Sequence, residues 1–150
     1  MITEANPAGY SIAAQIHAVA QAAYTLEAKL IGCTDFTPLL QSLDELRQSP
    51  DTFLVCHQSG RIVGALSFDR STDPVTITRL VVSPTHLRQG VATALLSALE
   101  CRLPPKARLT VSTAQANTPA LLLYQRLGYT IASVSNSAEG IPLLHLSKST

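Results

Sequence analysis

Two rhythms of apolar positions run along the chain. In residues 11–31, Ile12, Ile16, Val19, Ala20, Ala23, Leu26 and Leu30 recur every three or four positions, which predicts an amphipathic helix. Ser11 stands where it would cap that helix and Gly32 where it would stop it. Tyr24 and Glu27, three apart, share one flank. A shorter helix is expected over residues 35–47, with Thr37 as cap, Pro38 in the first turn and Pro50 as breaker. The pattern then alternates. Residues 53–57 and 62–68 flank Gln58-Ser59-Gly60-Arg61 as a hairpin, and a turn over 69–74 leads to a third antiparallel strand. That strand, residues 75–82, is dense in β-branched side chains and is closed by Pro84. Residues 1–5 read as a short edge strand ended by Pro7 and Gly9.

Helical spacing returns at residues 91–102, where Val91, Leu95, Ala98, Leu99 and Arg102 form one stripe. Leu103-Pro104-Pro105 ends it, and residues 108–113 return as a strand. A right-handed crossover makes the strands before and after this helix parallel. Asn117-Thr118-Pro119 reads as a cap and first turn for a helix over 120–127, stopped by Gly128. Residues 129–134 and 141–146 then pair across Asn136-Ser137-Ala138-Glu139-Gly140. The order is two helices, three meandering strands, a strand-helix-strand unit, a helix and a closing hairpin. This is a mixed α/β fold, expected to form one domain over residues 1–150.

Composition narrows the function. With a formal net charge of +1, the chain has no field to draw nucleic acid or an anionic membrane, so neither is expected as a partner. Cys33, Cys56 and Cys101 form no C-x-x-C pair and no zinc spacing, so reduced thiols and no metal are expected, with Cys101 a small buried hydrophobe. The N-terminal residues lack a secretory pattern, and no apolar run approaches the roughly 18 residues that span a bilayer. A cytoplasmic location is the expectation.

The chemistry concentrates after residue 82. Leu87-Arg88-Gln89-Gly90-Val91-Ala92-Thr93 lies between a strand and a helix, where the first helical amides have no intrahelical partner. Those N–H groups and the positive end of the helix dipole suit a phosphate. Gly90 and Ala92 are small enough for a pyrophosphate to approach the backbone, and Arg88 adds charge. Neither G-x-G-x-x-G nor G-x-x-x-x-G-K-[ST] occurs, which disfavours a nucleotide-binding protein.

This segment resembles the acyl-CoA loop of the GNAT superfamily of N-acetyltransferases, Arg/Gln-x-x-Gly-x-Gly/Ala, with Gly90 and Ala92 in the fourth and sixth positions. Leu87 occupies the first position and the basic side chain has moved to Arg88. A second stretch, from Asn117 through Ala120, Leu123, Tyr124 and Gly128 to Tyr129, is similar to that family's Asn-x-x-Ala-x-x-Leu-Tyr-x-x-x-Gly-Phe/Tyr pattern at every marked position. The resemblance implies a twisted mixed sheet splayed between strands 4 and 5 and flanked by about four helices, with acetyl-CoA in the split. It implies main-chain bonds to pantetheine near Leu80, Val81 and Val82, and a contact from Asn117. Tyr124 would be the proton donor to the leaving thiolate; a phenol near pKa 10 can protonate a thiolate whose acid lies near 8.5.

No carboxylate stands at the strand positions where relatives carry a base: Ser112 is on the fifth strand, Thr78 and Arg79 on the fourth. Glu27 and Asp35 are alternatives, as is a water relay through Ser112 or Thr113. His17, His57, His86 and His145 are scattered and no catalytic role is expected of them. Tyr24 and Glu27 are the candidates for binding the acceptor, a small-molecule or peptide amine, in a pocket shaped by residues 24–40 and 69–74. The function implied is acetyl transfer to a primary amine. The alternative is a non-catalytic acyl-CoA sensor or interaction module, and the closing hairpin offers an edge for a homodimer.

Overall fold

The computed structural model describes residues 1–150. The strands are β1 (Ile2–Ala5), β2 (Thr52–Gln58), β3 (Arg61–Asp69), β4 (Val75–Val82), β5 (Arg108–Ala114), β6 (Thr130–Asn136) and β7 (Pro142–Ser149). The helices are α1 (Tyr10–Ile31), α2 (Leu43–Arg47), α3 (Val91–Cys101) and α4 (Thr118–Arg126). The sheet order is β1-β2-β3-β4-β5-β7-β6, so β7 inserts between β5 and its own hairpin partner. No helix is long and apolar enough to cross a membrane.

Local chemistry explains most boundaries. Ser59 and Gly60 both take positive φ, 51° and 75°, as a two-residue hairpin turn between β2 and β3 requires. Gly32 ends α1 in the left-handed region at φ 72°, and Cys33 N–H reaches Ala28 O at 2.9 Å, which closes the last turn. At its other end α1 begins two residues earlier than a cap at Ser11 would place it. Gly9 is the cap, and Ser11 lies inside the helix. The expected helix over 35–47 is in fact two pieces, a 3-10 turn at Thr37–Leu40 entered from Phe36, and α2. The break comes from Ser42, whose hydroxyl accepts from Glu45 N–H while Glu45 carboxylate accepts from Ser42 N–H, both at 3.1 Å. That reciprocal cap starts a new helix and leaves Thr37 without a capping role.

Two apolar clusters sandwich β2–β4. One lies under α1 and α2 and contains Ile16, Leu46, Phe53, Val55 and Val81. The other lies under α3 and α4 and contains Leu66, Leu95, Leu99, Leu109, Tyr129 and Leu146. Gly64 fixes how closely α3 sits on β3: a Cβ there would stand 2.6 Å from Val91 Cγ1 and 3.3 Å from Leu95 Cδ1. Only glycine permits that approach. One member of the expected α3 stripe lies outside it, and so does Cys101, which was expected to be buried. Arg102 is exposed and bonds Ala98 O at 2.9 Å, and Cys101 is exposed rather than buried because the stripe turns past it.

β4 and β5 pair in parallel only at Val75–Leu109 and Thr76–Thr110. The split therefore opens at Ile77, within β4 and not at its end. β5, β7 and β6 carry α3 and α4 on one face only, and every residue of β6 is exposed.

Candidate active site

Where β4 and β5 part, a cavity of about 450 Å³ opens, a size suited to a small ligand or one arm of a larger one. Residues 77–82 of β4 and 111–114 of β5 form its sides. Tyr24 and Glu27 of α1, Phe36 and Pro38, and Ser137, Glu139 and Ile141 of the β6–β7 loop line one end. Leu87 and Ala92 line the other, and Asn117 and Tyr124, from the start and middle of α4, stand with Tyr24 and Glu27. The turn at 69–74 has no part in this cavity. It sits at the paired end of β4 and β5, where Asp73 meets Arg108 at 3.2 Å.

At the start of α3, Gly90 is the cap residue at φ 79°, and no side chain caps the helix. The N–H groups of Val91, Ala92 and Thr93 precede the first helical bond, Ala94 N–H to Gly90 O at 2.9 Å. Nothing lies within 4 Å of where a Gly90 Cβ would be, so the backbone there is open to a ligand. Arg88 is also left-handed, at φ 60°. Two such residues in three positions curl the backbone into an amide-lined concavity of the kind that holds anions. Arg88 and Gln89 are exposed, and Leu87, 46% exposed, turns an apolar side chain to the cavity. The residues present thus fit a pyrophosphate.

Along β4 the backbone alternates. Ser83 N–H donates to Val63 O on β3 at 2.8 Å, so Val81, two residues earlier, also turns its backbone toward β3, opposite Ala65. Leu80 and Val82 turn theirs into the cleft. Of the three residues expected to offer free main-chain groups, Val81 does not; it contributes a side chain to the core beneath α1.

Four side chains from distant parts of the chain meet in the cavity. Asn117 Oδ1 accepts from Ala120 N–H at 3.3 Å as the α4 cap, while Nδ2 donates to Glu27 Oε1 at 2.9 Å. The capping and site roles of Asn117 therefore coexist. Burial raises the Glu27 carboxyl above its ordinary value, partly opposed by the Asn117 bond. Burial also pushes the Tyr24 phenol up to about 12, with Arg79 pulling down and Glu27 adding to the rise. Tyr24 meets the Phe36 ring edge-on at 5.9 Å. Tyr124 is 5% exposed and packs edge-on against Tyr129 at 5.5 Å. Its phenol is held far above the ordinary value by burial first, then by Tyr129, Glu27 and Tyr24. The hydroxyl of Tyr129 is buried with no partner, whereas Tyr124 borders the cavity. Asp35 is exposed and stands apart from the cavity.

Sequence reasoning missed three features. Arg79 reaches Asp51 at 3.2 Å, Ser67 at 3.0 Å and Gln41 at 3.3 Å, and lies over the Phe53 ring. Thr37 hydroxyl donates to Glu139, tying the loop after α1 to the β6–β7 loop across the cleft and holding the Glu139 carboxyl below its ordinary value. Ser112, on the cavity wall, sits 2.6 Å from His145 Nδ1, and His145 Nε2 sits 2.6 Å from Ser135 Oγ. All three depend on contacts between residues far apart in sequence.

Residues 21–150 match the Acetyltransferase (GNAT) domain family. The chain is 32% identical over 133 residues to the UPF0157 protein YqkA of Bacillus subtilis (strain 168), covering 89% of this chain and 39% of that protein. It thus spans about two-fifths of the length of that curated relative. Among solved structures, smu.2055 from Streptococcus mutans UA159 superposes with a TM-score of 0.78 at 18% identity, over 99% of this chain and 98% of that one. The ribosomal-protein-S18-alanine N-acetyltransferase of Escherichia coli gives 0.73 at 19% identity, over 99% and 94%. These two likenesses establish a shared fold. The cleft between β4 and β5, the open amide turn at Gly90 and the match over residues 21–150 agree: this chain belongs to the acetyltransferase (GNAT) family.

Proposed function

We propose that the protein, working as one domain over residues 1–150, moves an acetyl group from acetyl-CoA to a primary amine by direct attack. The observation that carries this is one continuous cleft with an open amide turn at one end and the Tyr24, Glu27, Asn117 and Tyr124 cluster at the other. In this reading residues 87–93 hold the pyrophosphate, and the free main-chain groups of Leu80 and Val82 hold the pantetheine amides as an added strand would. A backbone N–H near Val82 polarises the thioester carbonyl in this reading. Tyr24 and Glu27 receive the amine. Three unpaired thiols suit a reducing compartment, which supports a cytoplasmic site of action.

Tyr124 serves best as a hydrogen-bond donor to the departing sulfur. Burial keeps its phenol protonated at any physiological pH, so the donor is always present. Holding both reactants in one cleft supplies much of the acceleration. The amine must still lose its proton: a lysine-type amine is free in roughly one molecule in two thousand at pH 7, a cost of about 4–5 kcal/mol. A second reading, binding without turnover, is favoured by Ser112 standing on β5 where a carboxylate would serve as base.

Titration calorimetry with acetyl-CoA tests the first claim, beside a Gly90→Glu variant whose carboxylate would enter the phosphate cradle. Binding by the wild type that is lost in the variant supports the assignment; a folded wild type that does not bind refutes it. Release of free thiol with a panel of amines then separates the two readings, because a pure binder saturates without releasing thiol.

A further inference from the structure

We infer that His145, acting through Ser112, takes up the proton that the amine loses on acylation. The inference rests on the acetyl-transfer reading above. On β5 the side chains alternate: Leu109, Val111 and Thr113 are buried, and Thr110 and Ser112 face the other way. That other face is the one α1 covers over β3 and β4 and leaves bare over β5, β7 and β6. Ser112 is therefore on the cavity wall and next to the bare strands at once. His145 stands directly opposite it in the register of β5 and β7.

The two hydrogen bonds give the chain one of two directions, set by the tautomer of His145. A neutral imidazole has one donor and one acceptor nitrogen. With Ser112 on Nδ1 and Ser135 on Nε2, each at 2.6 Å, one serine donates to the ring and the other accepts from it. Ser112 has a cavity proton to pass on, so the productive tautomer carries its proton on Nε2, donates to Ser135 and leaves Nδ1 to accept. Ser135 lies on the fully exposed β6, so the outer end of the chain meets water.

The step balances. The amine nitrogen bonds the acetyl carbon and the carbon–sulfur bond breaks. The surplus proton on nitrogen passes to Ser112 Oγ as the Ser112 proton passes to Nδ1. The sulfur leaves as a thiolate hydrogen-bonded to Tyr124 and is protonated from solvent. The imidazolium returns its proton to solvent, so the products are amide and thiol.

The charged groups around the cleft are held elsewhere: on β4, Arg79 is paired with Asp51 at 3.2 Å. β6 carries no titratable side chain, and β5 carries only Arg108, which is paired with Asp73. On β7 the other charged residue, Lys148, lies on the opposite face against Glu100 at 2.8 Å. From the loops, Glu139 is held by Thr37. Across the cleft, Glu27 is held by Asn117, which suits anchoring an ammonium. Histidine is the side chain whose charge ordinarily changes near neutral pH, so His145 supplies what the missing strand carboxylate would.

Two measurements decide the matter. Nitrogen-15 NMR of the folded protein should show His145 protonated on Nε2 and bare on Nδ1; the opposite tautomer would overturn the relay. Kinetics should show kcat/KM falling about 100-fold in His145→Gln and in Ser112→Ala. The acid limb of the pH profile should disappear in both, the double variant should be no worse than either alone, and Ser112→Thr should restore most of the activity. Wild-type turnover with an unchanged pH profile in His145→Gln would end this proposal alone. Acetyl-CoA binding without thiol release from any amine would end the acetyl-transfer reading and the relay with it.

Discussion

The sheet has two halves covered to different extents. Phe53, Leu54, Val55, Leu66 and Phe68 in β2 and β3 have no exposed surface, with helices on both sides. β5, β7 and β6 bury Leu109, Leu144 and Leu146 on one face and show serines, threonines and His145 on the other. Each large apolar side chain fully buried is worth about 1.5–3 kcal/mol, so the first half holds the shape. The second half gives up burial on one face and gains a row of hydroxyls and an imidazole beside the cleft. The cleft lies at the seam, where α1 stops covering the sheet.

The comparison can be broken most sharply from within the first half. Arg79→Ala leaves the largely buried Asp51 without its cation, and a loss of about 3 kcal/mol is expected in urea unfolding. A change under 1 kcal/mol would mean that the polar cluster under α1 contributes little. Gly64→Ala comes next. Its Cβ collides with Val91, and about 2 kcal/mol of overpacking is expected, together with weaker acetyl-CoA binding as the start of α3 is displaced. Loss of stability with unchanged binding would show that the turn at Gly90 is positioned independently of β3.

At the seam, Glu27→Gln tests burial of charge. The folded carboxyl titrates above its ordinary value of 4.5, so ionising it costs stability. Below that value both states are protonated and no penalty exists; as pH rises through the folded value, the penalty grows to its full size. The glutamine variant should therefore melt higher than wild type at neutral pH, with the difference vanishing below about pH 4.5. Equal melting at neutral pH would show the carboxylate to be fully compensated. In the second half, Val134→Thr on the exposed strand β6 should change stability by no more than about 0.5 kcal/mol. A larger loss would show that β6 is covered in solution, for instance by a second copy of the chain.

Long periodic stretches were legible from the sequence because neighbouring residues carry the signal. β4 was read at its observed bounds, and the Gly90 turn and the Asn117 cap were located by residues adjacent to them. The split between β4 and β5 was foreseen, but not its start at Ile77, since the register between two strands joined through a helix is set by tertiary packing and not by neighbouring residues. The Glu27–Asn117 bond joins residues 90 apart, and Ser112 meets His145 only because β7 inserts beside β5. Spacing along the chain encodes neither. The start of α2 is a different case, because the Ser42 and Glu45 pair is local and could have been read as a helix start.

The two-pair contact between β4 and β5 also means that the protein's stability is open to its ligand. A molecule bonding the free main-chain groups of Leu80 and Val82 supplies a strand that the chain itself omits, and it does so only in the folded state. Such linkage adds about 2.7 kcal/mol at a ligand concentration one hundred times Kd. The melting temperature would therefore report the acetyl-CoA level, and the amides of Leu80 and Val82 would slow their deuterium exchange as the cleft fills. In that sense a bound ligand would complete the fold.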